Sequence, residues 1–115
     1  MKDDFVDVCY KILESNLTRI ELEKAATVLT YKAPPDYGGY TDTFPNLVDT
    51  SEIGKPVDLT RAYELARKHD DNIRVYPAGM ELQDGETYAL KSRAVGALGI
   101  GEDIEAAREI SLEGI

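Results

Sequence analysis

The chain has 115 residues, of which 22 are acidic and 13 are basic, so its formal net charge is −9 at pH 7. This balance disfavours non-specific binding to nucleic acids and to anionic lipid surfaces, because both depend on an excess of positive charge. Hydrophobic residues make up 43% of the chain, which is enough for one domain with its own core. No apolar run approaches the length of a membrane span and no signal-peptide pattern is present, so we expect neither a nucleic-acid nor a membrane partner.

The chain contains a single cysteine, Cys9, and a single histidine, His69. One cysteine excludes an internal disulfide and fits a reducing compartment, so we expect a cytoplasmic location. These two residues cannot assemble a zinc site of the usual ligand types within one chain, and we predict no metal site. We expect Cys9 to be a small buried hydrophobe among Phe5, Val8 and Ile12, and His69 to lie at a helix end without a catalytic role.

The first predicted elements are a helix and a strand. Two acidic residues precede an apolar pattern with the spacing of one helical stripe, so we predict a packing helix over 4–15. Residues 26–31 are β-branched and aromatic enough for a strand. This strand leads to Pro34-Pro35, which cannot donate hydrogen bonds to a ladder.

A long segment from 33 to 58 has few periodic signals and is punctuated by proline and glycine. Tyr37 and Tyr40 flank the glycine pair Gly38-Gly39 within it. A loop of this length in a small domain is usually functional or disordered. The two glycines fit a structural turn about as well as a ligand-binding loop, so both interpretations stay open.

Two further helices are predicted, each with a capping residue in front of it. Thr60 precedes a helix over 61–68, whose last turn is basic. Asp103 precedes a helix from 104 to about 112, and its carboxylate can accept a hydrogen bond from an N–H group of the first turn. We expect the second of these helices to be structural.

Between these helices the sequence predicts a β-hairpin. Residues 73–82 are expected to form its first strand, with Pro77 confining that strand to an edge or a bulge. Asp84-Gly85 is a strong signal for the turn. The second strand is expected to run through 86–101, and its apolar face would carry Tyr88, Leu90, Ala94, Leu98 and Ile100. The chain therefore predicts an α+β fold: a small strand-rich domain with a β-hairpin and two or three flanking helices.

The candidate functional residues lie on the opposite face of that second strand. Lys91 and Arg93 are two residues apart, so in a strand both side chains point the same way. On a buried face they would need an anion, whereas on the solvated face of an edge strand they would be ordinary surface charges. Spacing alone favours the surface interpretation. A phosphorylated ligand would need such a local cationic spot, because the overall field is negative.

Three segments, in chain order, carry a family resemblance. The run over 91–107, KSRAVGALGIGEDIEAA, has a small residue and an Arg before a Val/Gly-rich strand and a capped helix. It resembles the C-terminal signature of phosphoribosylamine–glycine ligase, an enzyme of the ATP-grasp superfamily. Residues 4–9 resemble the helix after that family's ATP-grasp metal motif, and 22–31 resembles the strand that opens its C-terminal domain. The resemblance is weakest over 42–68, and the loop 36–40 stands where the family has a Gly-Tyr-Pro loop near its active-site cleft.

The resemblance implies the fold of the C-terminal domain of ATP-grasp purine enzymes. Residues 1–20 would link from an ATP-grasp domain that is missing here, and 21–115 would form the C-terminal ligase domain. The implied function is one part of an enzyme that joins glycine to 5-phosphoribosylamine in purine biosynthesis, using ATP and Mg²⁺. Since the sequence has no glycine-rich phosphate loop with its lysine, we expect this chain alone to bind no cofactor and to be inactive. Its expected partner is the ATP-grasp portion of the same enzyme.

The resemblance also implies the substrate-binding residues, with no catalytic residue in this chain. Arg93 would hold the ribose phosphate, because its planar fork can meet two phosphate oxygens at once. Lys91 would add a point charge, and Ser92 a hydrogen bond from its hydroxyl or amide. Two alternatives without catalysis stay open: a free-standing module that binds a phosphate ligand, and a domain that docks on another protein.

Overall fold

The computed structural model describes residues 1–44, 46–47 and 49–115. It contains helices and antiparallel strands, which confirms the predicted α+β class. The elements in chain order are α1 (Phe5–Leu13), β1 (Ala26–Lys32), α2 (Tyr40–Thr43), α3 (Thr60–Lys68), β2 (Ile73–Pro77), β3 (Met80–Gln83), β4 (Glu86–Ala89), β5 (Val95–Gly101) and α4 (Ile104–Gly114).

The main sheet has three antiparallel strands in the order β1-β5-β2. The central strand, β5, pairs with β1 on one side and with β2 on the other. Helix α4 packs across one face of this sheet. Beneath the end of the helix lie Ile73 and Ala97, which are 1% and 0% exposed. Pro77 is the last residue of the edge strand β2, in agreement with its predicted position.

Helix α4 lies close to β5 because the strand carries glycine where the two backbones meet. A Cβ on Gly99 would collide with the carbonyl oxygen of Ala107 and the backbone nitrogen of Ser111. The buried Ser111 hydroxyl donates a hydrogen bond to the Ala97 carbonyl at 2.7 Å and lies 2.7 Å from Thr30 Oγ1. The last helix is therefore joined to both β5 and β1.

Strands β3 and β4 form a separate two-stranded sheet around the turn Asp84-Gly85. Both turn residues have positive φ, 51° and 86°, as a type I′ hairpin turn requires, which confirms the predicted hairpin. The other edge of β4 is paired as well. The N–H of Gly54 donates to the Ala89 carbonyl at 2.7 Å, and the N–H of Val57 donates to the Thr87 carbonyl at 2.7 Å.

The structure corrects the two long strands that were predicted around this hairpin. Each was expected to be continuous, over 73–82 and 86–101, but each is broken where the chain passes between the two sheets. The crossings lie side by side, because the N–H of Gly79 donates to the Arg93 carbonyl at 2.8 Å. Leu90, expected on the apolar face, is 38% exposed in the break. A period-two pattern does not reveal such a crossing, since strands of both sheets alternate in the same way.

Helix caps agree with the sequence in one case and differ in another. Asp103 accepts a hydrogen bond from the Ala106 N–H at 2.8 Å, which confirms the cap of α4. Thr60 is not a cap: it is the first residue of α3, and Leu59 in front of it makes no side-chain hydrogen bond. Asp58 accepts the Thr60 N–H at 2.8 Å instead. Hydrogen bonds from the side chain and the backbone of Thr60 hold the pKa of the Asp58 carboxyl below its usual value.

Helix α1 lies apart from both sheets and makes only sparse contacts with the other described elements. The helix predicted over 4–15 is present as Phe5–Leu13, but the predicted burial of Cys9 among Phe5, Val8 and Ile12 is wrong within the described chain. Cys9 is half-buried, and Phe5 and Ile12 are 69% and 56% exposed. An amphipathic pattern indicates that a face will be covered, but not by which part of the protein. The radius of gyration, 18.0 Å, exceeds the roughly 13 Å of a compact domain of this length.

Gly99→Ala is expected to lower the free energy of unfolding by about 3 kcal/mol, because the added methyl group would push α4 away from β5. Gly96→Ala is the matched control in the same strand. Its methyl group would lie 3.0 Å from Tyr31 Cε1 and 3.1 Å from Leu29 Cδ1, which are ends of side chains that can turn aside. We expect a loss of about 1 kcal/mol or less for this control. Urea unfolding of both variants measures the difference, and equal losses would contradict the close helix–strand approach.

Candidate functional site

The predicted site residues Lys91, Ser92 and Arg93 lie in the connection between β4 and β5, and not within a strand. This connection is tied to the end of β1, because the N–H of Ala94 donates to the Lys32 carbonyl at 2.9 Å. The three residues therefore lie beside the loop that follows β1. They are positioned at the junction of the two sheets.

The Arg93 side chain lies against two tyrosine rings. Its guanidinium carbon is 4.8 Å from the centroid of the Tyr31 ring and 6.0 Å from the centroid of the Tyr37 ring. Distances in this range allow a cation–π attraction. The Arg93 side chain remains exposed to solvent, and it forms no hydrogen bond or ion pair with another residue that the structure describes. Its N–H donors can therefore meet an anionic ligand.

The Lys91 side chain faces a carboxylate. Its Nζ atom lies 3.1 Å from Oδ2 of Asp36, whose side chain is 0% exposed, while the Lys91 side chain is 56% exposed. A buried carboxylate is stable only when its charge is compensated by partners such as this ammonium group. Lys91 therefore forms an ion pair with a buried carboxylate of the same chain.

The loop after β1 brings Asp36 and Tyr37 to these two cations. Its backbone turns twice: the Tyr37 N–H donates to the Pro34 carbonyl at 3.0 Å, and the Gly39 N–H donates to the Asp36 carbonyl at 3.3 Å. Gly38 and Gly39 have φ of 83° and 76°, which non-glycine residues rarely adopt. The glycine pair is therefore explained by the turns of the backbone. The same turns place the loop against the connection between β4 and β5, residues 90–94, which we call the basic connection.

The Ser92 side chain lies on a different side from its two neighbours. A Cβ added to Gly79 would lie 2.7 Å from Ser92 Oγ and 2.8 Å from Ser92 Cβ, so this half-buried hydroxyl group packs against the crossing between β2 and β3. Of the three predicted site residues, the structure brings the Lys91 and Arg93 side chains to the loop. It does not bring the Ser92 side chain there.

Tyr31 and Asp36 are the residues at this site that the sequence analysis missed. Tyr31 is the register partner of Gly96, so its place near Arg93 follows from the pairing of β1 with β5. Because Tyr31 is the last residue of the strand predicted over 26–31, its position at the strand end could have suggested that it lies near Arg93. No local signal indicates that Asp36 is buried, because it follows two prolines in a loop that reads as polar.

A cavity of about 970 Å³ lies between the loop after β1, helix α3 and the end of α4. It is lined among others by Lys32, Pro34 and Leu65, and neither Lys91 nor Arg93 contributes to it. The stacked Arg93 guanidinium is instead part of an open surface.

Several other features bear on function. His69 is the C-cap residue that follows α3, and its Nε2 lies 3.1 Å from Oε1 of Glu113 in α4. Among residues 1–44, 46–47 and 49–115, no group of three or more His, Cys, Asp or Glu side chains is placed to hold a metal ion. No helix in the described part of the chain is long and apolar enough to cross a membrane.

Comparison with curated proteins reveals similarity along the whole chain to phosphoribosylamine–glycine ligases. The protein of that name from Methanococcus maripaludis is 32% identical over 121 residues, and the one from Methanocella arvoryzae is 31% identical over 117 residues. Both alignments cover 100% of this chain and 23% of the relative. The ligase from Methanocaldococcus jannaschii is 32% identical over 115 residues, with 98% of this chain and 23% of the relative covered.

No family model matches the chain. The chain spans 23% of the length of the curated relatives, just under a quarter. The similarity nevertheless covers all of the chain's elements and agrees with the family resemblance seen in its motifs. The chain is therefore homologous along its whole length to a part of the phosphoribosylamine–glycine ligases, consistent with the C-terminal domain of these longer proteins.

Proposed function

We propose that this chain is the C-terminal part of a phosphoribosylamine–glycine ligase and forms the ribose-phosphate side of its active site. The observation that carries the proposal is the full-length similarity to ligases of that name, at 31–32% identity. The complete enzyme would join glycine to 5-phosphoribosylamine in purine biosynthesis, with ATP as the energy source. We place this reaction in the cytoplasm, where the unpaired Cys9 would stay reduced.

The proposed substrate contacts come from the basic connection between β4 and β5. Arg93 would bind the ribose phosphate, since its guanidinium is exposed, held against aromatic rings and free of a carboxylate partner among the described residues. Two parallel N–H donors can bind two phosphate oxygens, and such charge-assisted hydrogen bonds are stronger than neutral ones. In the same connection, Lys91 would add a positive charge beside Arg93, and Ser92 would add a hydrogen bond. None of the three would take part in bond making.

The proposal assigns ATP and Mg²⁺ to a second portion of the enzyme, the ATP-grasp portion. The sequence has no glycine-rich phosphate loop with a lysine, and this chain corresponds to 23% of the relatives' length. Residues 1–20 would link the two portions and 21–115 would form the C-terminal ligase domain. The ATP-grasp portion would supply the acyl-phosphate chemistry, and this chain would position the amine substrate.

Exposed apolar residues on α1 support a large partner. Side chains on this nine-residue helix are more than half exposed, although they are aromatic or aliphatic: Phe5 at 69%, Val6 at 59%, Tyr10 at 60%, Ile12 at 56% and Leu13 at 79%. Apolar patches of this kind mark interaction surfaces, because leaving them in water is unfavourable. We take the ATP-grasp portion as the occupant, since α1 belongs to the segment that would link to it.

The substrate role predicts the effect of one substitution. In a mixture of this chain with a separately produced ATP-grasp portion, phosphate release should require both glycine and phosphoribosylamine. Arg93→Ala is expected to lower kcat/KM for phosphoribosylamine by about 10- to 100-fold, the loss typical of a charge-assisted phosphate contact. Arg74→Ala, at an exposed arginine on β2, is the control and should change kcat/KM by less than about 2-fold. Equal activity of the two variants, or no activity despite association of the two portions, would contradict the proposal.

The docking role of α1 predicts the effect of a second substitution. Leu13→Asp is expected to weaken the affinity for the ATP-grasp portion by about 10-fold or more, because a charge would be buried in an apolar contact. Leu82→Asp is the matched control, since Leu82 is 70% exposed on the hairpin strand β3. The affinity of the Leu82→Asp variant for the ATP-grasp portion should equal that of the wild type. Isothermal titration calorimetry compares them, and tight binding by the Leu13 variant would show that α1 does not dock.

A further inference from the structure

We propose that Asp36 and Lys91 act together as a positioning pair for Arg93, and that Lys91 is not itself a ligand of the substrate phosphate. This inference rests on the proposed function, because it concerns how the substrate-binding arginine is held. It assigns specific roles to Asp36, Tyr31 and Tyr37, which the sequence analysis did not name as site residues.

The first step of the argument is the pairing of Lys91. Its Nζ atom lies 3.1 Å from Oδ2 of Asp36, and that carboxylate is fully buried. Moving the ammonium group to a phosphate would leave the buried carboxylate without this counter-charge, which is unfavourable in a low-dielectric setting. Lys91 therefore stays with Asp36, and Arg93 is left as the donor for the ligand.

The second step concerns what the ion pair holds in place. Asp36 is followed directly by Tyr37, so anchoring the Asp36 carboxylate to the basic connection also anchors the backbone of Tyr37. The Tyr37 ring is 41% exposed and lies 6.0 Å from the Arg93 guanidinium carbon. Because this ring is partly exposed, its position depends on the loop backbone that carries it. The ion pair thus fixes one of the two rings.

The third step concerns the other ring, whose backbone position the sheet fixes independently of the ion pair. Tyr31 lies in β1 opposite Gly96, and a Cβ on Gly96 would come within 3.0 Å of Tyr31 Cε1. The glycine therefore leaves room for the Tyr31 ring, whose centroid is 4.8 Å from the Arg93 guanidinium carbon. One ring is placed by strand pairing and the other by the ion pair. An arginine held between such supports loses less side-chain freedom when it binds a ligand.

Two hypotheses for Lys91, positioning of Arg93 and direct binding of the substrate phosphate, predict opposite effects of Asp36→Asn. If the two residues position Arg93, Lys91→Met and Asp36→Asn should each raise KM for phosphoribosylamine by about 5- to 20-fold, with kcat changed by less than about 2-fold. The double variant should be no worse than the stronger single variant, since each substitution already removes the Lys91–Asp36 ion pair. If Lys91 binds phosphate directly, Asp36→Asn would free it and leave KM unchanged or lower. That result, or additive losses, would overturn the inference.

The matched controls come from a second ion pair between a lysine and a carboxylate. Lys55 and Glu52 are 2.9 Å apart, with side chains 54% and 56% exposed, so Lys55 resembles Lys91 in exposure but its partner lies in solvent. Lys55→Met and Glu52→Gln should leave KM unchanged. Because Asp36→Asn could fail to fold, Tyr37→Leu provides a second route. It should raise KM like Lys91→Met, whereas Tyr37→Phe, which keeps the ring, should retain the wild-type KM.

A measurement on the isolated chain separates this inference from the proposed function. Nuclear Overhauser contacts between the Tyr37 ring and the Arg93 side chain should be present in the wild type and in Lys55→Met, and lost in Lys91→Met. If these contacts persist in Lys91→Met, the positioning inference is wrong. If they are lost while Arg93→Ala changes no kinetic constant, the proposed substrate role fails and the positioning contact stands. If they are lost and KM changes only in Arg93→Ala, the pair does not position Arg93 for binding and the inference is overturned.

Discussion

The close approach of helix α4 to the central strand β5 is the constraint on which the rest of the structure depends. It requires glycine at Gly99, since any side chain there would meet the helix backbone. The helix also contacts β1 through the buried Ser111 hydroxyl beside Thr30 Oγ1. The two strands held by this helix are paired so that Tyr31 lies beside Gly96, on the face of the sheet away from the helix. The geometry around Arg93 follows from that register.

The candidate site forms where the chain passes between its two sheets. Paired backbones at this crossing, with the Gly79 N–H bonded to the Arg93 carbonyl, hold the basic connection from one side. The loop after β1 holds it from the other side through Asp36 and Tyr37. A connection supported in this way can present an exposed cation at a defined position, although it belongs to neither strand. Loops on rigid supports commonly carry binding residues for this reason.

Two surfaces of the chain are open in a way that fits one part of a larger enzyme. The Arg93 guanidinium lies on an open surface outside the cavity of about 970 Å³. The apolar side chains of α1 are exposed, and this helix has only sparse contacts with other described elements. Neither surface is completed by the residues described, and the chain corresponds to 23% of the length of its relatives.

The sequence alone determined the features that depend on residues close together in the chain. Examples are the turn at Asp84-Gly85, the cap at Asp103 and the family motif over 91–107, because each depends on neighbouring residues whose backbone conformations the sequence restricts. The sequence did not reveal where the strands cross between sheets. Nor did it place Asp36 against Lys91. Only the tertiary structure decided these, because strand pairing, helix packing and the burial of a carboxylate join residues from distant segments, and an alternating pattern is the same whichever sheet a strand enters.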